Sequence, residues 1–273
     1  MSVRNFVPQI WSRLLLESLK KNIVGRSLVN TNYEGDIRNQ GDTVKIQTPS
    51  AINVEDYTGA EITFQNVEST TQSLLINIAK SFSFTIDDVD QLQANVDLMP
   101  PFMNEASFSL ADAADQVIFG KVIDAHADNV ITAALTKANV YANCVTAKKN
   151  LSLKNVPSMN RFIAFSPEEI ALLETSSEFL AASDLGDSTK RTGFVGRIAG
   201  LEVFESNNIL EVGNIRNNPY GYTGAITFAD QLSQVKAGEH EKKHADYVKG
   251  LHVYGCKTIR PTGLGNLRNQ LTS

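Results

Sequence analysis

Cysteine is nearly missing from this 273-residue chain, which holds only Cys144 and Cys256, far apart and in no C-x-x-C spacing. Two such thiols build neither a disulfide framework nor a zinc site, so they read as small buried apolar residues in a reducing cytosol. Long apolar runs are missing too. In the N-terminal stretch MSVRNFVPQIWSRLLLESLKKNIVG the longest is Leu14 to Leu16, too short for a signal-peptide core or a membrane span. A cytoplasmic protein without a membrane anchor is the expectation. Histidine is scarce, with four residues, and leaves few bases for a Ser or Cys nucleophile. Neither a G-x-S-x-G elbow nor a phosphate-cradling G-x-x-x-x-G-K-[ST] occurs. A basic excess is lacking as well: the net charge of −5 argues against a protein built to grip phosphate backbones.

What is present is an ordinary globular balance, 42% hydrophobic and 20% charged, long enough for one large domain or two modest ones. Residues 9–24 suit a helix, with Ile10, Trp11, Leu14, Leu15 and Leu19 on one seam. RNQGDTVKIQTPS (38–50) reads as a turn and a strand. QSLLINIAKSFSFTI (72–86) alternates for longer, with Leu74, Ile76, Ile78, Phe82, Phe84 and Ile86 on one face, interrupted only by Lys80. A two-stranded ribbon is marginal alone in water, so this row must meet a partner, within the chain or outside it. The long connection between the strands carries Glu55, Asp56, Glu61 and Glu68, and no Lys or Arg occurs between Lys45 and Lys80. A connection of that length is usually functional or disordered.

Pro100 and Pro101 open a helix over about 102–127, a spine roughly 40 Å long. RFIAFSPEEIALLE (161–174) reads as strand, cap and helix: Ser166 is the N-cap, Pro167 the first helical residue, and Glu169 closes a capping box. The glycines of GFVGRIAG, Gly193, Gly196 and Gly200, mark turns between short strands rather than a phosphate loop. Three strand-like runs follow: GAITFA, ADYVKGLHVYG and CKTIRP. Strands before and after a central helical section predict a mixed α+β architecture whose chain end returns to earlier elements.

Candidate chemistry is thin. HEKKH (240–244) matches H-E-x-x-H, in which His240 and His244 would bind zinc and Glu241 would activate water. No Glu follows Glu241 to complete the site, and His252 falls inside a strand-like run. Gly238 and two lysines place the motif on a solvated segment, so a charged turn is the plainer account and a zinc hydrolase the alternative. Asp87, Asp88 and Asp90 cluster without a convergent partner, as a turn does. One asymmetry remains. Residues 49–79 carry only acids, while residues 129–167 carry only bases, Lys148 and Lys149 among them. Two solvated faces or complementary surfaces on neighbouring copies both account for it.

Laid end to end, YEGDIRNQGDTVKIQTP, RFIAFSPEEIALLE, GFVGRIAGLEVFESNNI and ADYVKGLHVYGCKTIRP resemble the major capsid protein of tailed bacteriophages, whose fold is shared with herpesviruses and encapsulins. The resemblance implies an N-terminal arm (1–32), an extended β loop (33–80) lying over an adjacent subunit, and a peripheral domain with the spine helix (81–128). It also implies an axial domain (129–235) and return strands (236–273). It implies a structural protein, not an enzyme, with no cofactor or metal. Its copies would form pentamers and hexamers in an icosahedral shell around double-stranded DNA, without sequence-specific contact. A scaffolding protein, a portal and a decoration protein are implied partners. The scaffold is expected to be a separate chain, because nothing precedes the arm. The site would be the virion, after assembly in the host bacterial cytoplasm. Contacts between copies would involve Trp11, Leu15, Glu55, Asp56, Glu61, Glu68, Lys148 and Lys149. An encapsulin-like nanocompartment shell is the alternative on the same fold.

Overall fold

In the computed structural model the described residues are 24–32, 43–49, 52, 69–87, 99–176, 194–239 and 245–271. The helix opened by Pro100 and Pro101, α1, runs Met99–Gly120, about 33 Å at 1.5 Å per residue. It buries Met103, Leu110, Ala114 and Ile118 along one stripe. It is shorter than the expected 102–127, because the chain tightens after Gly120 into a 3₁₀ turn, Lys121–Asp124.

The expected long strand at 72–86 is two strands. The hairpin strands β1 (Thr43–Pro49) and β2 (Ser69–Leu75) pair antiparallel, with Val44 opposite Leu74. The ladder breaks at Ile76 and Asn77. β3 (Ile78–Asp87) then joins a different sheet, as the edge strand beside β11 (Ala245–Thr258), whose other neighbour is β10 (Ile226–Glu239). Both pairings are antiparallel. The sheet lays Phe228, Val235, Val248 and Tyr254 on α1, with Ile78, Phe82 and Phe84 packed alongside.

A seven-stranded mixed sheet forms the other layer. Its strands are β4 (Val130–Ala133), β5 (Arg161–Phe165), β6 (Phe194–Ile198), β7 (Leu201–Glu205), β8 (Leu210–Val212), β9 (Ile215–Tyr222) and β12 (Leu264–Gln270). On one face, α2 (Val140–Leu153) and α3 (Pro167–Glu174) pack over Ile163, Phe165, Leu201, Val203 and Leu267. The opposite face, through Phe162, Ala164 and Phe204, meets Phe119 at the end of α1 and Leu28 near the N-terminal root. The spine helix therefore belongs to both cores and joins the sheets.

The capping box forms as expected on α3, with Ser166 and Glu169 exchanging hydrogen bonds. Ile198 pairs with Leu201 across a two-residue turn in which Ala199 and Gly200 both have positive φ, 48° and 83°. That is the turn geometry a twisted hairpin favours. ADYVKGLHVYG and the first half of CKTIRP fuse into the single strand β11. The mixed α+β architecture stands, and the chain end returns: β12 inserts between β4 and β9.

Candidate assembly interface

The hydrophobic row from Leu74 to Ile86 was expected to need a partner. Its base finds one inside the chain. Leu74 and Ile76 are 1% and 0% exposed, packed with Val44, Ile46, Ala229, Val253 and Ile259. Phe82 and Phe84 lean on the spine-helix core. The hairpin base therefore covers part of the molecule's own three-stranded sheet, on the face turned away from α1. Gly255 makes this close approach workable, since a side chain there would collide with the backbone of Leu75 and Ile76.

Among the described residues the cover stops partway along that face. Beyond Val253 the strand register brings Leu251 beside Ser81, then Lys249 between Ser83 and Lys236, then Tyr247 between Thr85 and Gly238. Leu251 is 37% exposed, and Ser81, Ser83, Lys236 and Lys249 are exposed as well. Lys236 and Lys249 stand directly opposite each other, although like charges in that position destabilise a ladder. The Lys249 ammonium lies 5.4 Å from the centre of the Tyr247 ring. Sequence reading missed this pair. The signal was the near-mirror placement of the two lysines about HEKKH, which a hairpin folding there turns into a direct opposition.

The N-terminal root is fixed by partly buried charge. Arg26 Nη1 donates to both Asp230 oxygens, at 3.0 and 2.9 Å, and His252 Nε2 lies 3.0 Å from Asp230 Oδ2. Burial alone would push the Asp230 carboxyl up, but the His252 hydrogen bond and the Arg26 charge hold it below the usual carboxylate range. His252, weighed above as a distant zinc ligand, is 0% exposed and serves this carboxylate. Nearby, the backbone N–H of Gly25 donates to Asp115 Oδ1 at 2.6 Å, and Asn208 donates to Asp115 Oδ2 at 3.1 Å. Burial nonetheless pushes the Asp115 carboxyl upward. These groups fix Gly25 and Arg26 to α1 and to β10.

The seven-stranded sheet holds a second buried carboxylate. Glu169 accepts from Ser166 N–H at 3.0 Å, Asn218 at 2.9 Å and Asn269 at 2.6 Å. The capping-box glutamate therefore also ties β9 to β12. Cys144 lies fully buried in this core and Cys256 packs against the spine core, as expected, and burial pushes each thiol up to about 12.

Of the residues expected at contacts between copies, Lys148 and Lys149 are exposed on α2. Successive helix positions aim them about 100° apart, so they do not converge. Lys154 and Arg161, from the same basic segment, are used internally. Lys154 pairs with Asp128, and Arg161 donates to the carbonyls of Val156 and Pro157. Trp11, Leu15, Glu55, Asp56, Glu61 and Glu68 lie outside the described residues, as do His240, Glu241 and His244. Among the described residues no group of three His, Cys, Asp or Glu side chains is placed to hold a metal ion. Nor is any described helix long and apolar enough to cross a membrane.

No family model and no curated protein matches the sequence. Solved structures do. A chain of Mycobacterium phage Che8 is 28% identical, with a TM-score of 0.71 over 90% of each chain. The capsid of Ralstonia phage GP4 gives a TM-score of 0.71 at 11% identity, over 90% of this chain and 88% of that one. A virus-like particle from Pyrococcus furiosus gives 0.60 at 12% identity, over 96% and 99%. The chain has the tailed-phage major capsid fold. Its solved neighbours include chains of phage capsids and of a virus-like particle.

Proposed function

We propose that this chain is the subunit of an icosahedral phage head that encloses double-stranded DNA, and that it carries no catalytic activity. The observation that carries the reading is a fold shared over 90% of both chains with a phage protein at 28% identity. In this reading α1 and the three-stranded sheet form the peripheral domain, and the seven-stranded sheet forms the axial domain around which five or six copies meet. The hairpin β1–β2 carries the extended loop, which reaches an adjacent copy. The arm bearing Trp11 and Leu15 leaves the root at Arg26 and crosses to another copy. A scaffolding protein, a portal and a decoration protein act on the shell, which is assembled in the host cytoplasm and ends in the virion. The mildly acidic chain suits a container that must release its DNA, because a lining that held phosphate tightly would oppose release.

Electron microscopy of the expressed full-length chain tests this directly. Shells or capsomers are expected. Deleting residues 50–68 is expected to leave a folded chain that does not assemble, and normal assembly of the deletion would end the loop's assigned role. The likeness to the Pyrococcus particle keeps one other reading, a nanocompartment that encloses a protein. Shells purified from the native source decide between them: nuclease-protected DNA supports the head, and a stoichiometric protein cargo supports the compartment.

A further inference from the structure

A recess of 280 Å³ lies where the described N-terminal residues begin, between α1 and the turn that joins β7 to β8. Val24, Phe108, Asp112, Asp115 and Glu205 line it, and Phe108 is 56% exposed. Neutral groups serve its buried acids. Asn208 and Gln116 donate to Asp112 at 2.7 and 2.8 Å, while Gly25 N–H, Asn208 and Ser206 donate to Asp115. The recess thus gathers three carboxylates, and none of its lining residues is Lys or Arg. Burial, and then the neighbouring Asp112 charge, push the Asp115 carboxyl up, as in a site short of cations.

We propose that this recess clamps the chain's own N-terminal segment through Lys20 and Lys21. Position is the first reason. Residues 1–23 lead into Val24, which lines the recess. Val24 has helical backbone angles, φ −76° and ψ −46°, which suits the helix that the sequence predicts over 9–24. In such a helix Lys20 and Lys21 stand one turn before Val24 and share its side. Charge is the second reason. Residues 1–23 hold Arg4, Arg13, Lys20 and Lys21 against the single acid Glu17, and the recess is their complement. Glu17 falls on the same side as Arg13, Lys20 and Lys21 and offsets one of them, so that side stays positive. Exposed Phe108 gives the lysine stems an apolar surface while their ammonium groups reach the carboxylates. At about 100° per residue, Leu15 then points away from Val24, and Trp11 lies on the same far side. The clamp therefore sets the rotation of the arm: it holds the basic side inward and turns the apolar seam toward a neighbour. That last step rests on the shell reading; the clamp itself does not.

The test uses the full-length chain and two readouts. In dilute subunits, amide hydrogen exchange across residues 9–23 is expected to run about fivefold faster in K20E/K21E and in D112K/E205K than in the parent. Combining the four substitutions is expected to bring the rate back to within about twofold of the parent. Circular dichroism establishes that each variant is folded. K20E/K21E changes no residue of either sheet, so it still decides the matter if D112K/E205K does not fold. Separately, a water-soluble carbodiimide, which joins a lysine amine directly to a carboxylate, is expected to link Lys20 or Lys21 to Asp112 or Glu205. Copies labelled with heavy nitrogen are first mixed with unlabelled copies, and the two linked peptides are expected to be both heavy or both light. Unchanged exchange in K20E/K21E, or the lack of such a link, overturns the clamp, and shells from the parent then leave the shell reading standing. Links that join a heavy peptide to a light one mean that the recess receives another copy's arm, and the proposal is wrong. Same-copy links, with no shells or capsomers from the parent, uphold the clamp and overturn the shell reading.

Discussion

The two sheets differ in where their polar side chains gather, although each turns one carboxylate network inward. In the seven-stranded sheet the polar side chains turn inward and find one another. Glu169 gathers Ser166, Asn218 and Asn269, while Asn266 donates to Asn217 at 3.0 Å. Helices cover one face, and the spine end and N-terminal root cover the other. The three-stranded sheet is closed by α1 on one face and by a hairpin base on half of the other, with Lys236 and Lys249 beyond the cover. The inward block ties its strands together through these bonds, although the Oδ1 atoms of Asn218 and Asn266 are buried without a partner. A face that leaves like charges opposed is stable at some cost until something neutralises it. Within one chain, the first arrangement ties distant strands into a block and the second leaves two cations exposed side by side.

The sharpest break in the comparison comes from removing the centre of the inward network. Glu169→Ala strands the amides of Asn218 and Asn269 and the Ser166 N–H in a buried site. About 3–5 kcal/mol of stability should be lost, read by urea unfolding. A loss below about 1 kcal/mol would mean that the network is not structural.

The Asp230 cluster, on the α1 face of the three-stranded sheet, comes next. Its carboxyl lies below its ordinary value in the folded chain, so its contribution is present above about pH 4 and fades as pH falls through the lowered value. Asp230→Asn should cost about 2–3 kcal/mol at pH 7, because the Arg26 guanidinium loses its counter-charge in a partly buried site. The difference from the parent should shrink as pH falls through that lowered value, where the parent's carboxyl becomes neutral as the amide already is. A difference that persists undiminished in acid would assign the effect to packing.

Gly250→Ala probes the same sheet without touching charge. A side chain at Gly250 would run into the ring of Phe82, for an expected loss of about 1–3 kcal/mol. Ser166→Ala, on the inward sheet, removes an N-cap at about 1 kcal/mol; thermal unfolding of the pair orders them. The smallest effect is chemical. Cys144 and Cys256 should stay nearly inert to a thiol reagent at pH 8 until denaturant is added, since burial raises both thiols to about 12.

Much of the inward block was legible. RFIAFSPEEIALLE declares its strand, cap and helix locally, because capping and turn chemistry act within a few residues. β9 and β12 were not legible. Their sequences, IRNNPYGY and LGNLRNQ, are rich in Asn, Gly and Pro, which disfavour strands until distant partners take up the amides. The helix at 9–24 and the motif at 240–244 fall outside the described residues. The long strand at 72–86 was legible as β structure but misread as one element. Alternation reports that a face is buried, not against what, and Leu74 and Phe82 are buried in different cores.

Sequence by itself determined the mixed architecture, the spine helix with its proline start, the capped α3 and the acidic stretch without a cation. Each depends on near neighbours or simple counting. Only the tertiary structure decided that the hairpin base leans on its own chain, that Glu169 joins two late strands, and that Lys236 meets Lys249. Those outcomes depend on which distant strands pair and in what register, and a shift of one residue would turn every side chain concerned to the opposite face.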